Sequence, residues 1–144
     1  TNRIREIASY FNAEMVICDK HRKRANEIAS MVVIGDVTGK DIVIIDDICD
    51  TGGTLAKSAG LLKEKGARSV RALITHPVLS GKAYENIENS VLEELIVCDT
   101  IPVKKESSKI KVLSVAELFA VAIRNAYENK SITSLFIHSQ RRDK

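Results

Sequence analysis

The fold of this chain is indicated most clearly by one segment, Ile42-Val43-Ile44-Ile45-Asp46-Asp47-Ile48-Cys49-Asp50-Thr51-Gly52-Gly53-Thr54. The four aliphatic residues 42–45 are typical of a strand buried in the centre of a sheet. Two carboxylates follow where the strand leaves the sheet, and the Thr-Gly-Gly-Thr run opens a helix predicted over 54–65. Because open α/β sheets bind ligands at this edge, the segment predicts a ligand site as well as a strand.

The flanking sequence alternates between helix-like and strand-like patterns. Apolar residues Ile4, Ile7, Ala8 and Phe11 have helical spacing, and a short buried strand is predicted over 15–18. Further strands are predicted over 70–74, 95–98 and 112–113, and the capping box at 114–117 predicts a last helix. This alternation predicts an α/β fold, with a mostly parallel sheet and helices on both faces.

Composition excludes several classes of protein. The chain has 144 residues, of which 44% are hydrophobic and 28% charged, with a net charge of +3, as expected for one globular domain. The longest aliphatic runs have four residues, so no membrane span is predicted. With 4% aromatic residues and no Trp, a nucleic-acid stacking surface is not expected. Three widely spaced cysteines predict free thiols and a cytoplasmic location, and no metal site is predicted within this chain.

The loop over 50–54 has the chemistry of a phosphate site. Its two glycines allow a sharp turn that directs backbone N–H groups at the positive end of a helix. A sugar phosphate would explain the acids beside it, because Asp46 and Asp47 can accept hydrogen bonds from sugar hydroxyls. Two alternatives are a magnesium pocket and a glycine-rich turn with solvated carboxylates. Cys49 is predicted to be unreactive because the adjacent Asp47 and Asp50 disfavour its thiolate.

A basic run, 20–24, follows the strand predicted over 15–18. Such a run is often a solvated hairpin tip. Beside a phosphate site, however, positioned cations stabilise the charge that phosphoryl transfer spreads over several oxygens. A polar loop with little to bury can also open for substrate and close over it.

Several motifs together carry a family resemblance. The segment 46–54 resembles the phosphoribosyl-pyrophosphate-binding motif of type I phosphoribosyltransferase folds. Four more segments resemble ribose-phosphate pyrophosphokinases, and the similarity runs in register from the first helix to Phe136. These segments are Asp19-Lys20-His21-Arg22, Ile34-Gly35-Asp36-Val37-Thr38-Gly39-Lys40, Thr75-His76-Pro77-Val78-Leu79-Ser80-Gly81 and Val97-Cys98-Asp99-Thr100-Ile101-Pro102.

The resemblance implies a reaction and a site. Members of this family transfer the β,γ-diphosphate of MgATP to the C1 hydroxyl of ribose 5-phosphate, giving phosphoribosyl pyrophosphate and AMP. Lys20 and Arg22 match the catalytic cations of the family's flexible loop, and Arg22 is also expected at the substrate. Asp46 and Asp47 are expected to face the ribose. The 5-phosphate is expected on Asp50, Thr51, Gly52, Gly53 and Thr54.

The resemblance also bears on regulation and on departures from the family pattern. Ser131 and Phe136 match positions of a regulatory ADP site, although their partners are expected outside this chain. His21 stands where the family often has Arg, and Lys23 stands where Pro is common. The side chain at position 21 is expected to point away from the site, so this departure should leave the function in place.

The resemblance further implies that residues 1–144 are the C-terminal domain of a two-domain synthetase. The adenine pocket, most Mg²⁺ ligands and the loop that holds the diphosphate are then expected outside this chain, and a homo-oligomer, commonly a hexamer, is expected. The isolated chain should bind ribose 5-phosphate but not turn over. Two alternatives stay open, namely a base-specific phosphoribosyltransferase and a non-catalytic regulatory relative of the synthetase.

Overall fold

The computed structural model describes residues 2–21 and 30–136, with the side chains of residues 4–18 and 31–136. It divides the chain into two compact units, residues 16–114 and residues 1–15 with 115–144. A 3-10 turn, Thr133–Leu135, follows the last helix. In chain order, the helices and strands are α1 (Asn2–Tyr10), β1 (Ile17–His21), β2 (Ser30–Ile34), β3 (Asp41–Cys49), α2 (Gly53–Glu64), β4 (Ser69–Pro77), α3 (Ala83–Glu88), β5 (Glu94–Cys98), β6 (Ile110–Leu113) and α4 (Ala116–Tyr127).

The larger unit is built on a four-stranded parallel sheet with the strand order β3-β4-β5-β6. Helix α2 connects β3 to β4, and α3 connects β4 to β5. The α/β fold class and the parallel sheet flanked by helices are therefore confirmed. The prediction of a central strand over 42–45 is wrong among the described residues, because β3 pairs only with β4 and Val43 is half exposed.

The core of this unit fixes α2 against the sheet. Val70 and Ala72 of β4 are fully buried, and so are Ala59 and Leu62 of α2, which belong to the same apolar cluster. Burial of a side chain such as Leu62 contributes about 1.5–3 kcal/mol. Because α2 is anchored in this way, its first residues are held directly after the carboxyl end of β3.

A separate antiparallel hairpin is formed by β1 and β2. The predicted strand over 15–18 is wrong in its bounds, since β1 begins at Ile17 and continues to His21. Pairing of Lys20 with Met31 extends the strand into polar residues, which hydrophobicity alone does not predict. Arg22 and the rest of the basic run lie outside the described residues.

The smaller unit contains α1, α4 and the 3-10 turn. Helix α4 begins one residue later than the capping box predicts, with Val115 as its N-cap. The side-chain amide of Asn125, in the last turn of α4, donates to the carbonyl of Ser131 beyond the helix at 3.2 Å. None of the described helices has the length and apolar character needed to span a bilayer.

Candidate functional site

A cavity of about 390 Å³ opens at the carboxyl end of β3, beside the start of α2. It contains five of the site residues predicted from sequence. Its apolar and polar walls come from both elements and from β4. The lining residues are Ile44, Asp46, Ile48, Cys49, Asp50, Thr51, Gly52, Thr54, Leu55, Ser58 and Ile74.

The acidic residues of the site are distributed over a strand and a loop. Strand β3 continues through Asp46 and Asp47, so their side chains alternate between the two faces of the sheet. Asp46 lines the cavity together with Asp50. Asp47 and Gly53 are both described but are not among its lining residues, and the Asp47 backbone N–H donates to Asp46 Oδ1 at 2.9 Å. Two exposed carboxylates, those of Asp46 and Asp50, are thus available as acceptors at the cavity.

Gly52 produces the turn into α2. It is the N-cap of the helix and has a left-handed conformation, with φ 71°. A Cβ atom at this position would lie 3.3 Å from the Ala83 carbonyl oxygen and 3.4 Å from Ile87 Cγ1. Gly53 has ordinary helical geometry and an open surrounding, so only one of the two glycines is required by the backbone. The N–H groups of the first helical turn, which lack intrahelical partners, follow directly and favour an anion.

The segment after β4 contacts the loop at several points. The Leu79 N–H donates to the Cys49 carbonyl at 3.1 Å, and the Ser80 N–H donates to the Asp50 carbonyl at 3.0 Å. The Ser80 hydroxyl donates to Asp50 Oδ1, and the Asn86 side-chain amide donates to the Thr51 carbonyl at 2.8 Å. Sequence reasoning missed Ser80 and Asn86. The available signal was a set of polar residues, beginning at Ser80, shortly after the end of a parallel strand.

Cys49 is buried in the wall of the cavity, with 4% of its surface exposed. Burial raises the pKa of its thiol, and the charges of Asp46 and Asp50 raise it further against the hydrogen bond from the Gly52 N–H. The raised pKa agrees with an unreactive thiol, but the main cause is burial, and Asp46 acts where the sequence suggested Asp47.

The hairpin brings the backbone of Lys20 close to this region. Lys20 pairs in register with Met31, whose Sδ lies 3.2 Å from the Ser58 hydroxyl oxygen. Ser58 lines the cavity and donates to the Thr54 carbonyl at 3.0 Å. The side chain of Lys20 and all of Arg22 lie outside the described residues, so their catalytic roles stay predictions.

Comparison with known sequences identifies the family. Residues 10–137 match the sequence family described as the phosphoribosyl synthetase-associated domain. The chain belongs to this family. Similar family members include ribose-phosphate pyrophosphokinases of Wolinella succinogenes, 57% identical over 135 residues, and Campylobacter jejuni, 54% identical over 135 residues. Each alignment covers 94% of this chain and 44% of the relative, so the chain spans less than half the length of these relatives.

A solved structure from the family has a similar fold. Phosphoribosylpyrophosphate synthetase from Mycobacterium smegmatis superimposes with a TM-score of 0.75 and 34% sequence identity. The superposition covers 90% of this chain and 43% of that protein. Both kinds of comparison thus relate this chain to a part of a synthetase.

Other residues implied by the family resemblance lie elsewhere. Ser131 belongs to the smaller unit, where its hydroxyl donates to Thr133 Oγ1 at 2.9 Å. Phe136 is 62% exposed and lines a small apolar groove with Leu118 and Phe119. Their regulatory role stays a prediction. Among the described residues, no three His, Cys, Asp or Glu side chains lie together where they could hold a metal ion.

Proposed function

We propose that this chain is the ribose 5-phosphate-binding, C-terminal domain of a ribose-phosphate diphosphokinase that serves nucleotide biosynthesis. The observation that carries the proposal is the cavity at the end of β3, which joins two kinds of binding group. Asp46 and Asp50 supply acceptors for hydroxyl groups, and the start of α2 supplies N–H donors for a phosphate.

The proposed division of labour follows from charge. The phosphomonoester binds at Thr51, Gly52, Gly53 and Thr54, where the helix N-terminus favours an anion. The family resemblance also implies Asp50 at the phosphate, but we assign its carboxylate to the sugar because two anions repel each other. The ribose hydroxyls face the carboxylate of Asp46, with Asp47 as a further predicted acceptor. This order keeps the phosphate at the N–H groups and the neutral sugar at the acids. It therefore avoids repulsion between the phosphate and the carboxylates.

In the proposed reaction, the C1 oxygen of the bound sugar attacks the β-phosphorus of ATP. A C1–O–Pβ bond forms, and the bond from Pβ to the oxygen bridging the α-phosphate breaks. AMP leaves with that oxygen, and the C1 hydroxyl proton is released to solvent. Within this chain, Asp46 holds and orients the sugar. This orientation reduces the entropy that the reactants lose when the C1 oxygen reaches the β-phosphorus. Lys20 and Arg22 are proposed to stabilise the charge on the transferring diphosphate.

The rest of the site is proposed to lie outside this chain. ATP is expected as its magnesium complex, with the adenine pocket and the Mg²⁺ ligands on the other domain or on neighbouring subunits. We propose a cytoplasmic homo-oligomer, a hexamer by the family resemblance. AMP formation at a normal enzymatic rate by this chain alone would contradict the assignment to one domain of two.

Calorimetric titration with ribose 5-phosphate, ribose and inorganic phosphate as separate ligands tests the proposed site. We expect saturable binding of ribose 5-phosphate at least about tenfold tighter than either fragment, because both groups of the site contribute hydrogen bonds. If inorganic phosphate binds as tightly as ribose 5-phosphate, the cavity is an anion site that does not recognise the sugar. Phosphoribosyl pyrophosphate is titrated as a fourth ligand. Its binding without binding of ribose 5-phosphate would favour the base-specific transferase, and binding of neither of these two sugar phosphates would favour the regulatory relative.

A further inference from the structure

The loop of the candidate site is contacted, one residue after another, by the segment 79–86, which we call the brace. The brace bonds to the carbonyls of Cys49, Asp50 and Thr51 through the Leu79 N–H, the Ser80 N–H and the Asn86 amide at 3.1, 3.0 and 2.8 Å. At the next residue, Gly52, a Cβ atom would lie 3.3 Å from the Ala83 carbonyl oxygen, so the brace lies close against this glycine. From this arrangement we propose that Ser80 and Asn86 are positioning residues, which hold the loop in the conformation that binds ribose 5-phosphate. The inference rests on the proposed function.

The brace begins where the sheet stops supporting the loop. Strands β3 and β4 pair in register up to Cys49 and Pro77, and the loop residues beyond them have no strand partner among the described residues. Leu79 has φ 47°, which is uncommon for a residue other than glycine. Its side chain is buried, with 6% exposed, so packing holds this conformation in place. Backbone conformations of this kind cluster at functional sites, where the surrounding structure fixes them.

Ser80 acts on the carboxylate of Asp50 as well as on its backbone. An exposed aspartate side chain samples several rotamers, and ordering it on ligand binding costs conformational entropy. The Ser80 hydroxyl donates a hydrogen bond to Asp50 Oδ1, a contact made entirely within this chain. It therefore selects one orientation of the carboxylate in advance, which reduces the cost of binding.

Asn86 acts on a single peptide plane. Its side-chain amide donates a hydrogen bond to the Thr51 carbonyl. Because the peptide bond between Thr51 and Gly52 is planar, the Gly52 N–H points to the side opposite this carbonyl. The direction of the Gly52 N–H is thereby fixed as well. Together, the two contacts set the turn that leads into the N–H groups of α2.

The test compares Ser80→Ala and Asn86→Ala with a matched control, Ser107→Ala. Ser107 also donates its hydroxyl to a carboxylate, that of Glu88, and neither residue lines the cavity. We expect each brace variant to bind ribose 5-phosphate about tenfold more weakly, as for loss of one hydrogen bond of this kind. Ser80→Thr, which keeps a hydroxyl, should restore the affinity, and Ser107→Ala should leave it unchanged.

Amide hydrogen exchange of residues 49–54 gives a second readout that needs no ligand. We expect exchange in this loop to be about tenfold faster in Ser80→Ala and Asn86→Ala, and unchanged in Ser107→Ala. If the wild-type chain binds ribose 5-phosphate and the brace variants bind it equally well, the positioning role of Ser80 and Asn86 is overturned but the proposed function is not. Unchanged hydrogen exchange of the loop in these variants has the same meaning. A wild-type chain that binds no ribose 5-phosphate would instead overturn the proposed function, and the brace as a positioning device with it.

Discussion

Carboxylates lie at the first residue of β3 and again toward its carboxyl end and in the loop that follows, and the two groups have different partners. At the first residue, Asp41 is held by the Arg68 guanidinium through both of its oxygens and by the Ser69 hydroxyl at 2.6 Å. At the other end, Asp46 and Asp50 accept hydrogen bonds from a backbone N–H and a hydroxyl. Within residues 4–18 and 31–136, no Lys or Arg forms an ion pair with them.

The difference separates an acid with a structural partner from the acids that we propose bind a ligand. The charge of Asp41 is matched by Arg68, so it ties the start of β3 to the start of β4. Among the residues whose side chains are described, Asp46 and Asp50 have only neutral donors, at the edge of an α/β sheet where ligands bind. Carboxylates that keep their acceptor capacity beside a helix N-terminus are suited to a ligand with both hydroxyl and phosphate groups.

The largest expected effect comes from the same substitution made at each end of β3. Asp46→Asn should weaken ribose 5-phosphate binding by about 10- to 100-fold, because it removes a charged hydrogen-bond acceptor from the cavity. Asp41→Asn should leave the affinity within about twofold. Calorimetric titration measures both, and circular dichroism confirms that each variant is folded. Equal losses in the two variants would break the distinction between the ends.

A smaller effect separates the two glycines at the binding end. Gly52→Ala should lower the free energy of unfolding by about 1–2 kcal/mol, because alanine disfavours the left-handed conformation and its Cβ meets the Ala83 carbonyl. Gly53→Ala should be close to neutral, since it lies in the first helical turn with its nearest neighbour at 3.9 Å. Urea unfolding monitored by circular dichroism compares them. Equal destabilisation would mean that the turn does not depend on Gly52 alone.

The smallest expected effect is the pH dependence contributed by Asp41. Hydrogen bonds from Arg68 and Ser69 lower the pKa of Asp41 below its ordinary value in the folded chain. A lowered folded-state pKa stabilises the fold above the unfolded pKa of about 3.9, and this contribution is lost as the pH falls through the folded pKa. Asp41→Asn should therefore lower Tm slightly at pH 7 but progressively less below about pH 4.

The same Tm comparison in 1 M salt provides the control. Asp41 and Arg68 are both substantially exposed, so screening should reduce the difference between wild type and variant. A difference that stays constant from pH 7 to pH 3 would show that the pair does not stabilise the fold through its charge. In that case, the contrast between the two ends of β3 would rest on the binding data alone.

Local patterns in the sequence predicted most of the fold. The strand predicted over 70–74 lies within β4, and the helix predicted over 54–65 is α2 at 53–64. Extensions of β3 through Asp46 and of β1 through Lys20 were not predicted. In both cases a partner strand supplies the pairing, so the side chains need not be apolar.

The candidate site was predicted where it is contiguous in sequence. Asp46, Asp50, Thr51, Gly52 and Thr54 fall within nine residues, and all of them line one cavity. Ser80 and Asn86 reach the same loop from 30 and 35 residues away. Their contacts depend on how the chain leaves β4 and enters α3, which local periodicity does not encode.

The buried leucine of the brace ties the core to the site. A left-handed conformation costs a residue with a side chain about 1–2 kcal/mol, whereas burying a leucine contributes about 1.5–3 kcal/mol. Glycine at position 79 would relieve the first and forfeit the second. Packing of the buried Leu79 side chain therefore helps to fix the shape of the loop. Selection for a well-filled interior at this position also preserves the geometry of the candidate site.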